Sequence, residues 1–469
     1  MTVPLESCYI KPLDGMFIGE GNGMGTTLDP EFLADALQEL NKANLAFRSS
    51  YPGDAGRRQP VHTFYGGADL FQAGTVQRLG TIGRRVLADY APDARKFSAA
   101  LGLPDGPLAD RMYTQVVDKL DREPVEDFRI DFEDGYGNRP DSEEDRHAVE
   151  AATEVAKGWV DGSLPPFIGI RIKPLTGELQ TRSLRTLDLF LTELLVQTHR
   201  RLPENLVITL PKVTVPEQPA AMAKILGRFE EALGLEANRL RFEIMIETTQ
   251  AILNRRGQSN LPLLLDACAG RCVAAHFGTY DYTASCGITA GMQHMLHPAC
   301  DFARSMMQVA FAGTGIWLSD GGTNVLPIPV HRGRSLTQSQ QAENRETIHR
   351  AWKLHFDHVR HSLENGFYQG WDLHPAQLPT RYAAVYSFYL EGLENTALRL
   401  RNFVEMAARV ATEGNVFDDA ATGQGLLNFF LRAVSCRAIE ERQAEQLTGL
   451  TPEELRGGSF LRIFQARRT

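Results

Sequence analysis

A TIM-type (β/α)8 barrel with additions at both ends is the fold this chain predicts, and three observations predict it. Eight strand-like runs alternate with helical patterns from Pro60 onward. The runs are apolar enough for strands buried on both faces, and several end in a charged residue beside a breaker. At 469 residues the chain has ample length for one large barrel plus extensions.

In chain order, residues 1–58 read as an N-terminal extension with a glycine-rich loop from Gly19 to Gly25 and a helix from Pro30 to Arg48 capped by Asp29. That loop lacks a P-loop lysine and the dinucleotide-binding spacing, so a flexible or lid loop is expected. Residues 59–390 form the expected barrel. Its strands are assigned to Val61–Tyr65, Phe128–Asp134, Phe167–Pro174, Leu206–Val213, Leu240–Thr249, Cys272–Asp281, Gly315–Leu318 and Gly370–Pro375. The helix after the third strand carries Leu184, Leu187, Leu191, Leu194 and Leu195 at helical spacing. Residues 391–469 read as a helical C-terminal extension with a helix from Leu426 to Gln446.

The formal net charge of -9, without a long basic run, argues against nucleic acid or an anionic membrane as partner and favours work on small molecules. The six cysteines are scattered, and the closest pair, Cys268 and Cys272, has no second pair to complete a zinc site. They are expected to be reduced core thiols. The N-terminus has no basic segment followed by an apolar run, and apolar stretches stay shorter than the ~18 residues of a membrane span, so the cytoplasm is the expected compartment.

Chemistry is expected where the strands end, because in a βα barrel the carboxyl ends of all the strands open on one face. Glu247 and Asp281 close the fifth and sixth runs, with Gly278 expected to supply the turn that brings Asp281 back over the strand end. Two carboxylates with positions left open for water and an oxygen-rich substrate suit magnesium or manganese rather than zinc. The same face collects Asp131, Glu133, Asp134, Arg171, Lys173, Lys212 and His374. So many acids need compensation, which a metal together with Arg171 and Lys212 would give. The Arg171 guanidinium has the fork to hold a substrate carboxylate, or to pair with Asp131 or Glu133. His374, before Pro375, reads as a hydrogen-bonded structural histidine or as a base. His349, His355, His358 and His361 flank an apolar helical stripe and read as packing residues.

Taken together, Asp-Phe-Glu-Asp-Gly at 131–135, Arg171 in Ile-Arg-Ile-Lys, Leu-Pro-Lys-Val around Lys212, Ile-Glu-Thr around Glu247, Phe-Gly-Thr-Tyr-Asp ending at Asp281 and His-Pro-Ala-Gln from His374 resemble the citrate lyase β-subunit and hydroxy-oxo-acid aldolase family, which extends to malyl-CoA lyases. The resemblance covers roughly residues 60–390. It implies a magnesium-dependent barrel in which Glu247 and Asp281 bind the metal, Arg171 grips the substrate and the acids at 131–134 order the metal's waters. It further implies a carbon–carbon lyase or aldolase acting through an enolate on a small 2-oxo or 2-hydroxy acid or its CoA thioester, in a homo-oligomer. The first strand ends Tyr65-Gly-Gly-Ala, where the CoA-ester members carry Pro-Gly and an arginine. Candidate proton-transfer groups are a metal-bound water, His374 and Asp419, the last in a loop expected to cap the barrel mouth. The alternative readings are a phosphotransferase acting on an enolpyruvate, for which only the Gly19–Gly25 loop offers a phosphate cradle, and a non-catalytic metabolite-binding barrel.

Overall fold

A computed structural model describes residues 27–53, 56–333, 335–405, 411–413, 416–418 and 420–467. Eight parallel strands close into a barrel in sequence order: β1 His62–Gly67, β2 Asp127–Asp131, β3 Phe167–Arg171, β4 Leu206–Leu210, β5 Arg241–Ile246, β6 Cys272–Phe277, β7 Trp317–Gly322 and β8 Gln369–Asp372. Closure is made by β8 lying parallel to β1, with His62 opposite Gly370 and Phe64 opposite Asp372. Nearly every strand residue is buried, as two-sided coverage by helices requires.

The strand ends differ from the expected ones for local reasons. β2 stops at Asp131 because that carboxylate accepts the backbone N–H groups of Glu133 (3.0 Å) and Gly135 (2.7 Å), folding the acids at 131–134 into a turn instead of a strand. β7 begins at Trp317 and runs on through Asp320 to Gly322. A buried aspartate is tolerated there because Arg304 pairs with it at 3.1 Å and the Ser362 hydroxyl donates to it at 2.6 Å.

The barrel interior is not purely apolar. Arg129 on β2 bridges Asp127 (2.6 Å) and Glu243 on β5 (2.9 Å), and Thr63 donates to Asp127 at 2.8 Å, so each buried charge meets an opposite one. Just before β2 Lys119 holds Glu126, and Asp372, the last residue of β8, gathers His62 (2.6 Å), His355 (3.2 Å) and Arg381 (3.0 Å).

The helix expected at Pro30–Arg48 runs Pro30–Ser50 within a compact unit ending at Gly53, and Asp29 caps it by accepting from the Glu31 and Phe32 N–H groups. Asp54–Thr469 is a second unit, which holds both the barrel and the C-terminal elements. The helix expected at Leu426–Gln446 is two helices, Ala420–Ser435 and Glu441–Thr448, with Arg437 at φ 61 between them. This end of the chain meets the barrel at its N-terminal end: Arg432 donates to Gln59 (2.6 Å) and Gln115 to the Ala438 carbonyl (3.0 Å).

Cys268, Cys272, Cys300 and Cys436 are buried free thiols. Cys286 is exposed, because it ends the helix Thr279–Ser285 where the chain turns outward at Gly287. Among the described residues no helix is long and apolar enough to cross a membrane.

Candidate active site

The carboxyl ends of the strands open into a cleft of about 580 Å³, lined at one end by Asp131, Asp134, Arg171, Glu247 and Asp281. Glu247 follows β5, is 1% exposed, and accepts the Lys212 backbone N–H at 2.6 Å. Gly278 is needed for room rather than for a turn: its φ is -100°, but a Cβ there would lie 2.3 Å from Glu247 Oε2. Asp281 stands in the first turn of the helix Thr279–Ser285, where the helix dipole favours an anion, with its side chain 41% exposed to the cleft.

Lys212 ties these acids together. Its Nζ contacts Glu133 and reaches Asp134 at 3.1 Å and Asp281 at 3.5 Å. Burial works against its charge, but Glu133, Glu247 and Asp281 outweigh that and hold the ammonium above the ordinary lysine range. Its backbone sits at φ 50°, a left-handed conformation that costs a non-glycine residue about 1–2 kcal/mol and that these contacts hold in place.

The Arg171 fork is spent on Asp131, with Nε to Oδ1 at 2.7 Å and Nη2 to Oδ2 at 2.5 Å. Its remaining Nη1 lies 3.3 Å from Glu133. Asp131 thus has four partners, two from Arg171 and two backbone N–H groups, and serves as the anchor of the 131–135 turn. Lys173 lies outside the cleft lining and donates to the Phe132 carbonyl while pairing with Glu144 at 2.8 Å. His374 caps the short helix Pro375–Gln377, its Nδ1 accepting the Ala376 N–H at 3.2 Å, and its ring is not part of the cleft lining. Asp419 and the Gly19–Gly25 loop lie outside the described residues.

Glu247 is the electrostatic outlier. Burial, then the neighbouring Asp281 charge, push its carboxyl up to about 8, which Lys212 only partly offsets. This pair is short of positive charge, and its donors are hard oxygens, so the residues fit a magnesium- or manganese-class ion. Among the described residues no group of three or more His, Cys, Asp and Glu side chains converges as a metal site, so water and ligand oxygens would complete such an ion's shell, as magnesium tolerates.

Three aromatic residues of the cleft escape sequence reasoning, because at strand ends they look like core. Tyr65 lies under the Arg171 guanidinium (4.7 Å to the ring centre) and against Trp371 (5.0 Å). Trp371 Nε1 donates to His276 Nδ1 at 3.2 Å, which puts the imidazole proton on Nε2, facing Glu243 at 3.1 Å. Tyr280 accepts the Asn324 N–H and donates to the Gly322 carbonyl, pinning the loop after β7. The Tyr65 hydroxyl is buried with no hydrogen-bond partner among the described residues. Tyr65→Phe keeps the ring contacts and removes that orphan, so stability should hold or rise by up to about 1 kcal/mol in thermal denaturation; a clear loss would mean that the hydroxyl has a partner in solution.

A family model described as Domain of unknown function (DUF6986) matches residues 40–463. No curated protein matches the sequence. Among solved structures, the chain is similar to a citrate lyase from Burkholderia xenovorans LB400, with a TM-score of 0.49 and 18% identity over 74% of this chain and 92% of that one. It is also similar to the Haloferax volcanii malate synthase in its magnesium/glyoxylate complex, with a TM-score of 0.43 and 15% identity over 86% and 98% of the two chains. The pyruvate/acetyl-CoA ternary complex of that malate synthase gives 0.42 and 15% over 84% and 96%.

Proposed function

We propose, for a chain that belongs to the family described as Domain of unknown function (DUF6986), a divalent-metal-dependent carbon–carbon lyase or aldolase acting through an enolate on a 2-oxo or 2-hydroxy acid or its CoA thioester. The observation that carries this reading is the Glu247–Asp281 pair, a buried and an open carboxylate short of positive charge at the mouth of one cleft. The resemblance of its motifs to those of the citrate lyase β-subunit and hydroxy-oxo-acid aldolase family supports it.

When a carbon–carbon bond next to a carbonyl opens, the electron pair passes to the adjacent carbon and charge gathers on the enolate oxygen, while the other fragment's hydroxyl gives up its proton. A divalent ion held by Glu247 and Asp281 would supply positive charge beside the substrate's carbonyl and carboxylate oxygens. Lys212 keeps Asp134 and Asp281 turned to the cleft and adds its own positive charge beside them. Arg171, through Asp131, fixes the turn on which Glu133 and Asp134 stand. Asp134, with a 60% exposed side chain, is the member of the set that water reaches most freely. His374, with Nδ1 engaged by Ala376 N–H, serves the fold of this face.

Titration calorimetry with magnesium, followed by turnover assays on a panel of 2-oxo and 2-hydroxy acids with and without CoA, tests the reading. Magnesium binding and metal-dependent formation of two carbonyl-containing products from one acid, or the reverse condensation, are expected. A protein that binds no divalent ion, or that turns over none of the panel, is not this enzyme.

A further inference from the structure

The cleft is larger than the acid-binding end needs, and its two ends differ in chemistry. A cavity of about 580 Å³ falls in the range that takes a drug-sized ligand, well beyond a two- or three-carbon acid. Away from Glu247 and Asp281 its walls are Leu70, Phe71, Leu79, Trp371, Leu373 and Pro375. Two of these keep large apolar side chains open to water, Leu70 at 71% and Leu373 at 38% exposure, and a ligand that covered them would be bound more tightly for doing so. Among the described lining residues Arg171 is the one cation, and Asp131 holds its fork.

We infer that the substrate is a 2-oxo or 2-hydroxy acid carrying an apolar alkyl or aryl substituent, its oxygens directed to the Glu247–Asp281 end and its substituent held between Leu70, Trp371 and Leu373. The inference rests on the lyase reading above and adds the class of acid. Apolar wall and carboxylate pair belong to one continuous cleft, so a single small molecule spans both.

The test is calorimetric titration of the full chain in magnesium chloride with pyruvate, 4-methyl-2-oxopentanoate and phenylpyruvate, and separately with acetyl-CoA. The two substituted acids should bind about tenfold to a hundredfold more tightly than pyruvate, the gain that burial of one such side chain provides. Leu70→Asp and Leu373→Asp change solvent-exposed side chains and should fold, as a melting curve checks. Each should narrow that preference to within about threefold. Equal affinity of the parent for all three acids overturns the inference and leaves the lyase reading standing. Binding of none of them, with magnesium bound, overturns the inference too, and the turnover panel then decides the lyase reading. If acetyl-CoA competes with phenylpyruvate and Leu70→Asp weakens the two alike, the apolar end holds a thioester arm and the inference is wrong.

Discussion

Glu247→Gln is expected to stabilise the metal-free protein at pH 8 and to abolish its magnesium binding. Burial and the Asp281 charge raise this carboxyl from 4.5 to about 8 in the folded chain. Between those values the folded state holds a proton that the unfolded state has released, so stability falls as pH rises through the window, and the loss is complete above it. At 1.36 kcal/mol per unit the full cost is on the order of 5 kcal/mol, an upper figure, since the site relaxes and admits water. Gln keeps the volume and the acceptor for the Lys212 N–H without the charge. Burial also raises the Asp127 and Glu133 carboxyls, so the measurement is the difference between parent and variant melting curves from pH 5 to 9. That difference should be small at pH 5 and grow in the variant's favour toward pH 9. Magnesium at a hundred times its dissociation constant should return about 2.7 kcal/mol to the parent and nothing to the variant. Parallel pH curves, or a variant that magnesium stabilises as it does the parent, would remove Glu247 from the metal site.

The features of this mouth that were legible in sequence are those that depend on strand order. Apolar runs separated by helical patterns fix eight strands, and once they close, Asp131 and Arg171 at the ends of their strands and Lys212 and Glu247 just beyond theirs must share one face. What side chains do across that face is set by packing, which no run of residues displays. The Arg171 fork meets Asp131 because β2 and β3 place those two residues side by side in register. Lys212 reaches three acids from a left-handed backbone that its sequence neighbours do not signal. The interior network of Asp127, Arg129 and Glu243 did leave a trace, in charged residues at alternate positions of strands otherwise buried on both faces; a buried charge in such a place demands a partner. In the C-terminal part the break at Arg437 carries no glycine or proline, so the sequence predicts one continuous helix where the chain forms two.

Arg171→Lys is expected to cost about 2–3 kcal/mol of stability and to lower kcat more than it raises KM. The guanidinium gives two parallel hydrogen bonds to a fully buried Asp131, approaches Glu133 and lies over the Tyr65 ring, and a lysine ammonium can reproduce only one of the two bonds. Removing a partner altogether from a buried pair costs about 3–5 kcal/mol, and retention of the positive charge brings the figure down. The catalytic loss should follow from the 131–135 turn: Asp131 holds the Glu133 and Gly135 N–H groups, so when it shifts, Glu133 and Asp134 move with respect to Lys212. A double-mutant cycle with Asp131→Asn separates this from a direct grip on substrate. If the pair acts as a unit, Arg171→Lys in the Asp131→Asn background should cost less than 1 kcal/mol further, and magnesium affinity should stay within about threefold of the parent in all three variants. An Arg171→Lys variant with parental thermal stability and a KM raised tenfold or more would instead give the fork to the substrate carboxylate and leave Asp131 to its backbone partners.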